Sequence, residues 1–477
     1  MPRRILTEIC KMLLAVEPRR VSRINSGVGS IPTGTCRAGA KMVDRPLTVL
    51  VPFASPLTRS SSEGAAASGL YNFIWDDAYS LGSCYFTDGQ RDMLSYVDKC
   101  KARGDVDMVL SMTEPATVVH AALVQEFPHL RGPSVESVFL CMNKYYTQKV
   151  LDPDPIPHEG LDLDSPRLKE DALRVIQDIG LPAIVKPASS LRSTGVKKVN
   201  TVEELLQAAG DLRKFGTQVV MREVFDSSLM RNYIEKYVDL KKYPLANSNM
   251  AVVEKYIQGE LFTVDGCVYN GEIIHWAICD NLYFKSRPEC ILGFASPSCL
   301  SDKLQSRLWQ AYDKVLNRMI GHGFDNQEAH LEFFLTKDGD FKLLEINACM
   351  SLTLAQLYSH CLPGGDSVCL QLDLLRGVRP TVPRPTGRYS LVGYIQTFAS
   401  GKAKELVDFD AAAGVIEDGL GNVRIIVDPD RDIVQAGDSG NILGKVTVQG
   451  DGFEDAFQQY KNICLKILRK PELSPWE

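Results

Sequence analysis

Two glutamates and an asparagine in one short stretch carry the densest chemistry of this sequence. They are Glu332, Glu345 and Asn347, in His330-Leu-Glu-Phe-Phe-Leu-Thr-Lys-Asp-Gly-Asp-Phe-Lys-Leu-Leu-Glu-Ile-Asn347. Asp338-Gly339 reads as a two-residue hairpin turn between β-rich runs. With those two residues at the tip, Glu332 stands directly opposite Glu345, and Asn347 opposite His330 on the same face. The other face carries Leu331, Phe333, Leu344 and Ile346, all suited to a core, and on this register it also takes Lys342. Like charges placed directly opposite each other destabilise a sheet unless something positive sits between them. A solvated hairpin would give its glutamates lysine partners, but Lys342 points the wrong way. Two carboxylates and an amide oxygen are hard ligands and suit Mg²⁺, with Mn²⁺ as the alternative.

Lys186 is the second piece. It ends the strand-like run Leu181-Pro-Ala-Ile-Val-Lys186-Pro and precedes the polar loop Ala188-Ser-Ser-Leu-Arg-Ser-Thr-Gly195. An ammonium beside free backbone N–H groups can grip phosphate. The loop does not match G-x-x-x-x-G-K-[ST], and the protein-kinase signatures H-R-D and D-F-G are missing.

These residues need elements to hold them, and the chain supplies alternating strand and helix patterns, an α/β arrangement. Strands are expected at Pro46–Pro52, Val106–Ser111, Leu181–Pro187, Val196–Asn200, Met250–Glu254 and Leu261–Val264. Thr201-Val-Glu-Glu204 is a capping box that opens an amphipathic helix through Leu212. Further helices are expected over Thr117–Phe127, Asp302–Met319 and Phe453–Leu468, and Asp152–Pro157 reads as a loop.

Composition bounds the rest. The chain has 477 residues, long enough for about three folding units, with 45% hydrophobic and 23% charged residues. A net charge of −6 and the lack of a long apolar run argue against nucleic-acid and membrane partners. The 13 cysteines show no C-x-x-C pair, so neither a disulfide framework nor a structural zinc site is expected. Residues 1–45 carry nine Lys/Arg against three acids. Such a leader fits a disordered extension on a cytoplasmic protein, or an organelle transit segment.

Four motifs in order resemble the ATP-grasp superfamily, and more narrowly its carboxylate–amine ligases. They are Asn143-Lys144, Ala183-Ile-Val-Lys186-Pro with its loop, Val253-Glu-Lys-Tyr-Ile-Gln-Gly-Glu260, and the Glu332…Glu345-Ile-Asn347 hairpin. The resemblance implies an α/β fold, α+β in its nucleotide-binding part. It implies an N-terminal α/β domain (46–140), an ATP-grasp domain (141–375) with a lid near 181–257, and a C-terminal subdomain (376–477). ATP and Mg²⁺ would be the cofactors. Lys144 and Lys186 would hold the phosphates, with Ser193 and Gly195 in the closing loop and Arg192 near the γ-phosphate. Glu254 would meet the adenine amino group, the backbone at Lys255 and Ile257 would form the hinge, and Glu260 would take the ribose. Glu332, Glu345 and Asn347 would hold the metal.

The implied reaction activates a carboxylic acid as an acyl phosphate and joins it to an amine, often an amino acid; a homodimer is compatible with this. Two positions depart from the family. Cys349 stands where an arginine usually follows the Glu-x-Asn motif, and Ile291 and Phe294 stand where amino-acid ligases place a Glu and a His. Arg192, Lys285 or Arg287 are the cations available to replace the arginine. The apolar residues Ile291, Phe294, Met350 and Leu352 suggest a larger, partly hydrophobic acid. A degenerate nucleotide-binding module and a phosphotransferase remain the alternatives.

Overall fold

The first apolar run becomes the centre of a small parallel sheet. In the computed structural model, which describes residues 45–54, 56–76, 93–190, 195–215, 227–284, 287–362, 366–382, 386–434 and 441–469, β1 (Leu47–Val51) lies between β2 (Tyr71–Trp75) and β3 (Met108–Val109). Val49, Leu50 and Val51 are fully buried, as expected of a parallel strand covered on both faces. Helix Glu114–Glu126 packs on one side, and helix Ser367–Leu375 contributes Val368, Leu372 and Leu375 to the other. The basic leader expected at 1–45 falls outside the described residues except for Arg45, which pairs with Asp107 at 2.8 Å. Among the described residues no helix is long and apolar enough to cross a membrane.

The second sheet is antiparallel. It orders β4 (His158–Asp162), β7 (Met250–Lys255), β5 (Ala183–Pro187) and β6 (Lys197–Val199) side by side. Helices Leu168–Ile179 and Val202–Phe215 back it with a core of their own, including Val175, Val185, Leu205 and Val253. Thr201 Oγ1 accepts from the N–H of Glu204 at 3.1 Å, and the Glu204 carboxylate accepts from the N–H of Asn200 at 2.7 Å. The capping box thus closes one residue further out than its usual form, with two orphan donors still satisfied. At Gly195 φ is +77°, and a Cβ would come within 2.7 Å of Leu212 and 3.2 Å of Pro187, so helix and strand meet where only glycine fits.

The third and largest sheet carries the glutamates. Its strands are β8 (Gly259–Tyr269), β9 (Glu272–Phe284), β10 (Arg287–Ser296), β11 (Gln327–Thr336), β12 (Phe341–Asn347) and β13 (Tyr389–Thr397). After β14 (Gly401–Lys402) come β15 (Asn422–Ile425), β16 (Asp432–Ile433) and β17 (Asn441–Gly450). The order is β12-β11-β8-β9-β10-β13-β17-β15, while β14 and β16 pair separately. β8 and β9 join through Asn270-Gly271, both at positive φ (49° and 77°), the chemistry of a tight hairpin turn. The strands after residue 376 extend this sheet through the β10–β13 pair and have a separate core behind them with Leu391, Val446, Tyr460 and Ile463.

That junction depends on two facing glycines. Gly293 pairs with Gly393, and a Cβ at Gly293 would fall 2.2 Å from the Val392 carbonyl oxygen and 2.7 Å from Gly393 Cα. Backbone on both sides cannot give way as a side chain could. Gly293→Ala is therefore expected to lower stability by about 1–3 kcal/mol, read as a drop in the urea midpoint; an unchanged midpoint would contradict this packing.

Candidate functional site

β11 runs antiparallel to both β8 and β12, so each of its side chains has a neighbour on either flank. Glu332 faces Glu345 and His330 faces Asn347, as expected. The turn side differs. Thr336 and Asp340 close the hairpin through a backbone bond of 2.9 Å, leaving Lys337, Asp338 and Gly339 as a three-residue loop with Gly339 at φ +81°. A bulge beside Glu332 then takes up the extra residue: Phe333 pairs with Leu343 and Phe334 with Lys342. The bulge corrects two expectations. Leu343, not Leu344, enters the core, at 1% exposure. Lys342 returns to the strand face of Glu332, but its ammonium is taken by the Asp154 carboxylate.

Electrostatics separates the two glutamates. Burial and the facing Glu345 push the Glu332 carboxyl above its ordinary value, although His330 opposes this. Burial acts on Glu345 the same way, but there Lys144, the Asn347 amide and Lys186 outweigh it and hold the carboxyl below its usual range. Asn347 Nδ2 donates to Glu345 Oε1 at 3.2 Å, which turns the amide oxygen away from that carboxylate. The donor set is two carboxylates and an amide oxygen on one side of a sheet, part-exposed, with the two carboxyl groups shifted in opposite directions. It fits a hard divalent cation.

Two lysines converge on this face. Lys144 follows Asn143, whose side chain caps a short helical turn; its Nζ donates to the Ser190 carbonyl at 2.8 Å and lies 3.8 Å from Glu345 Oε2. Lys186, at the end of β5, reaches diagonally across to β7, where its Nζ is 2.7 Å from Glu254 Oε2, with both side chains under 5% exposed. Glu254 Oε1 is buried with no hydrogen-bond partner among the described residues. The Lys255 N–H donates to the Pro157 carbonyl at 2.9 Å, so a hinge contact at this residue falls to its carbonyl. Ile257 follows in the link to β8, and Glu260 sits exposed near the start of β8, opposite Leu335. Arg192, Ser193, Lys285 and the side chain of Arg287 lie outside the described residues.

The structure also changes the reading of Cys349. Its side chain is 6% exposed, and burial pushes the thiol well above its ordinary value, with Glu114 and Glu328 adding to the effect. Glu328 is itself buried and pushed up to about 8 by desolvation. Its Oε2 accepts weakly from the Met350 N–H at 3.4 Å, and its Oε1 has no partner among the described residues. Met350 and Phe294 sit in a core with Leu354, Leu357 and Tyr358, and Ile291 packs against it. Met350 and Phe294 are thus interior packing, and Ile291 lies at the partly buried edge of that core. Sequence reasoning missed Asp265 and Tyr358, which touch the site only through His330; the one available signal was a histidine two residues before Glu332, on the same face.

The Lys186–Glu254 pair generates a stability prediction. Lys186→Met leaves a buried carboxylate without its partner and is expected to cost about 3–5 kcal/mol. Adding Glu254→Leu should recover most of that loss in chemical denaturation, and an additive double variant would contradict the pairing.

Comparisons with known proteins bear on the fold that carries these residues. Residues 179–357 match the family model of the ATP-grasp domain. The D-alanine–D-alanine ligase of Lactococcus lactis subsp. lactis (strain IL1403) is 28% identical over 232 residues, covering 48% of this chain and 57% of that enzyme. That of Pseudomonas putida (strain GB-1) is 34% identical over 95 residues, covering 19% of this chain and 28% of that enzyme. The chain thus spans little more than half the length of the curated relatives it matches. Among solved structures, the L-amino acid ligase from Bacillus licheniformis superposes with a TM-score of 0.66 at 16% identity, over 89% of this chain and 98% of that one. Biotin carboxylase from Campylobacter jejuni gives 0.58 at 16% identity, over 88% and 91%. At such identities the structural likeness establishes the fold: α/β, with the ATP-grasp architecture. Residues 179–357 thus carry the likeness to the ATP-grasp domain, and the chain resembles ligases of the carboxylate–amine branch.

Proposed function

We propose that this protein is an ATP- and Mg²⁺-dependent ligase that joins a carboxylic acid to an amine, often an amino acid, with release of ADP and phosphate. The observation that carries the reading is the apposition of Glu332 and Glu345, with Lys144 at 3.8 Å from Glu345 and Lys186 near enough to bias its charge. Acids and cations gathered this way suit a polyanion accompanied by a divalent metal.

A carboxylate is a poor acyl donor because its leaving group would be oxide. Transfer of the γ-phosphoryl group to a carboxylate oxygen releases ADP and leaves an acyl phosphate. An amine then attacks the carbonyl, phosphate departs with the bonding pair, and the nitrogen gives up its proton. Glu332, Glu345 and Asn347 would hold the metal, whose contribution when bound is to neutralise phosphoryl charge. Lys144 and Lys186 add positive charge from the protein, acting where charge develops. Glu254 Oε1, buried and without a hydrogen-bond partner among the described residues, would accept from an exocyclic amine such as that of adenine. ATP binding would also draw Lys186 from Glu254 toward phosphate.

Cys349 supports a second reading, a nucleotide-binding module without turnover, because its buried thiol offers no cation to a substrate. The two are separated by ADP release measured with pools of carboxylic acids and amino acids, each alone and together. The ligase reading predicts release that needs both; release with acid alone points to a phosphotransferase, and none with any pool to a module. Glu345→Gln is expected to keep measurable nucleotide binding while turnover falls by roughly 100-fold or more, as for other losses of a charge-stabilising group. Wild-type turnover in that variant would take the hairpin out of the site.

A further inference from the structure

Beneath the paired glutamates runs a chain of buried polar groups that the ligase reading leaves unused. Tyr358 Oη, from helix Leu352–Cys361, donates to Asp265 Oδ2 and lies 3.1 Å from Cys279 Sγ. Asp265, on β8, sits directly opposite His330 on β11, and its Oδ1 is 2.8 Å from His330 Nδ1. The far nitrogen of the ring, Nε2, is 3.6 Å from Glu332 Oε1. Tyr358 and Asp265 are fully buried and His330 is 5% exposed. Strand β8 thus holds the imidazole directly, and the helix holds it through Asp265.

Fixing Nδ1 fixes the ring plane, and so fixes where Nε2 points. Among the described residues no other side chain hydrogen-bonds or ion-pairs with the Glu332 carboxylate. Glu345 opposite repels it, and Thr263, its neighbour on β8, gives its hydroxyl to Asn281 at 2.8 Å. A glutamate on three rotatable bonds must be ordered each time a cation binds, whereas one already held has lost that freedom beforehand. Carboxylates that ligate metals are commonly held by such outer partners, and loss of one lowers metal affinity or activity by about 10–100-fold.

We propose that His330, held by Asp265 and Tyr358, is the positioning residue of Glu332 and fixes which carboxylate oxygen is left to face the divalent cation. This rests on the ligase reading of the hairpin as the metal site. The test titrates Mn²⁺ into the full chain with saturating ADP and reads free Mn²⁺ by electron paramagnetic resonance. His330→Asn keeps an amide for Asp265 but is too short to reach Glu332. It is expected to weaken Mn²⁺ binding roughly 10–100-fold while metal-free ADP affinity stays as in wild type. Charge alone works in the opposite direction, since removing an imidazole from beside a cation site cannot repel the cation more. His330→Gln, whose amide reaches the Nε2 position, restores most of the affinity. Wild-type Mn²⁺ affinity in His330→Asn overturns the proposal. Where that variant does not fold, Tyr358→Phe removes only the far anchor; weaker Mn²⁺ binding supports the chain, and unchanged binding overturns it. A wild type that binds neither ADP nor Mn²⁺ overturns the ligase reading together with the proposal.

Discussion

Two carboxylates set face to face across a hairpin repel each other, and the arrangement around Glu332 and Glu345 is what lets the pair persist. Lys144 and the Asn347 amide hold the Glu345 carboxyl below its usual range, while burial and the facing Glu345 push the Glu332 carboxyl up. The pair is thereby divided into a firm anion and a reluctant one. A divalent cation between them would remove the repulsion and would itself be bound more tightly for it. Nothing about this needs a deep pocket; it needs a register that does not slip.

The register is secured by the surroundings of β11. β8 and β12 flank it, Leu331, Phe333 and Ile346 anchor its reverse side in the main core, and the bulge beside Glu332 absorbs the odd residue of the loop. The second sheet delivers its contribution from a different core. Lys186 and Glu254 stand on neighbouring strands of it, and the Lys144 ammonium reaches the carbonyl of Ser190, just beyond β5. A substrate lying between the two sheets would meet carboxylates from one and a buried lysine from the other. Two separately packed cores on either side of a site also permit relative movement, the usual means of excluding water from a reactive acyl phosphate.

Much of this was legible in the sequence because it is local. Strand period, the Thr201 cap and the spacing of Glu332 and Glu345 all act over short distances. The hairpin shows the limit of such reading. Asp338-Gly339 reads as a two-residue turn, whereas the loop has three residues, and the glutamates face each other only because the bulge compensates. Lys342 did not benefit from that cancellation, so its side was misread. β9 was missed although Asn270-Gly271 marks its hairpin. Long-range partners leave no local trace at all. Asp265 meets His330, Tyr358 meets Asp265, and Glu328 is buried near Cys349, from positions 65, 93 and 21 residues apart. The apolar residues around Cys349 looked like a pocket in sequence, but apolar composition cannot distinguish a wall from a core.

The most direct measurement is a crystal structure of the full chain with a non-hydrolysable ATP analogue and Mn²⁺, with data collected at the manganese edge. The account predicts an anomalous peak held by Glu332, Glu345 and Asn347 at about 2.1 Å, with Lys144 and Lys186 on the phosphates. A nucleotide bound with no manganese at the hairpin, and a lysine closing the gap between the two glutamates instead, would contradict it.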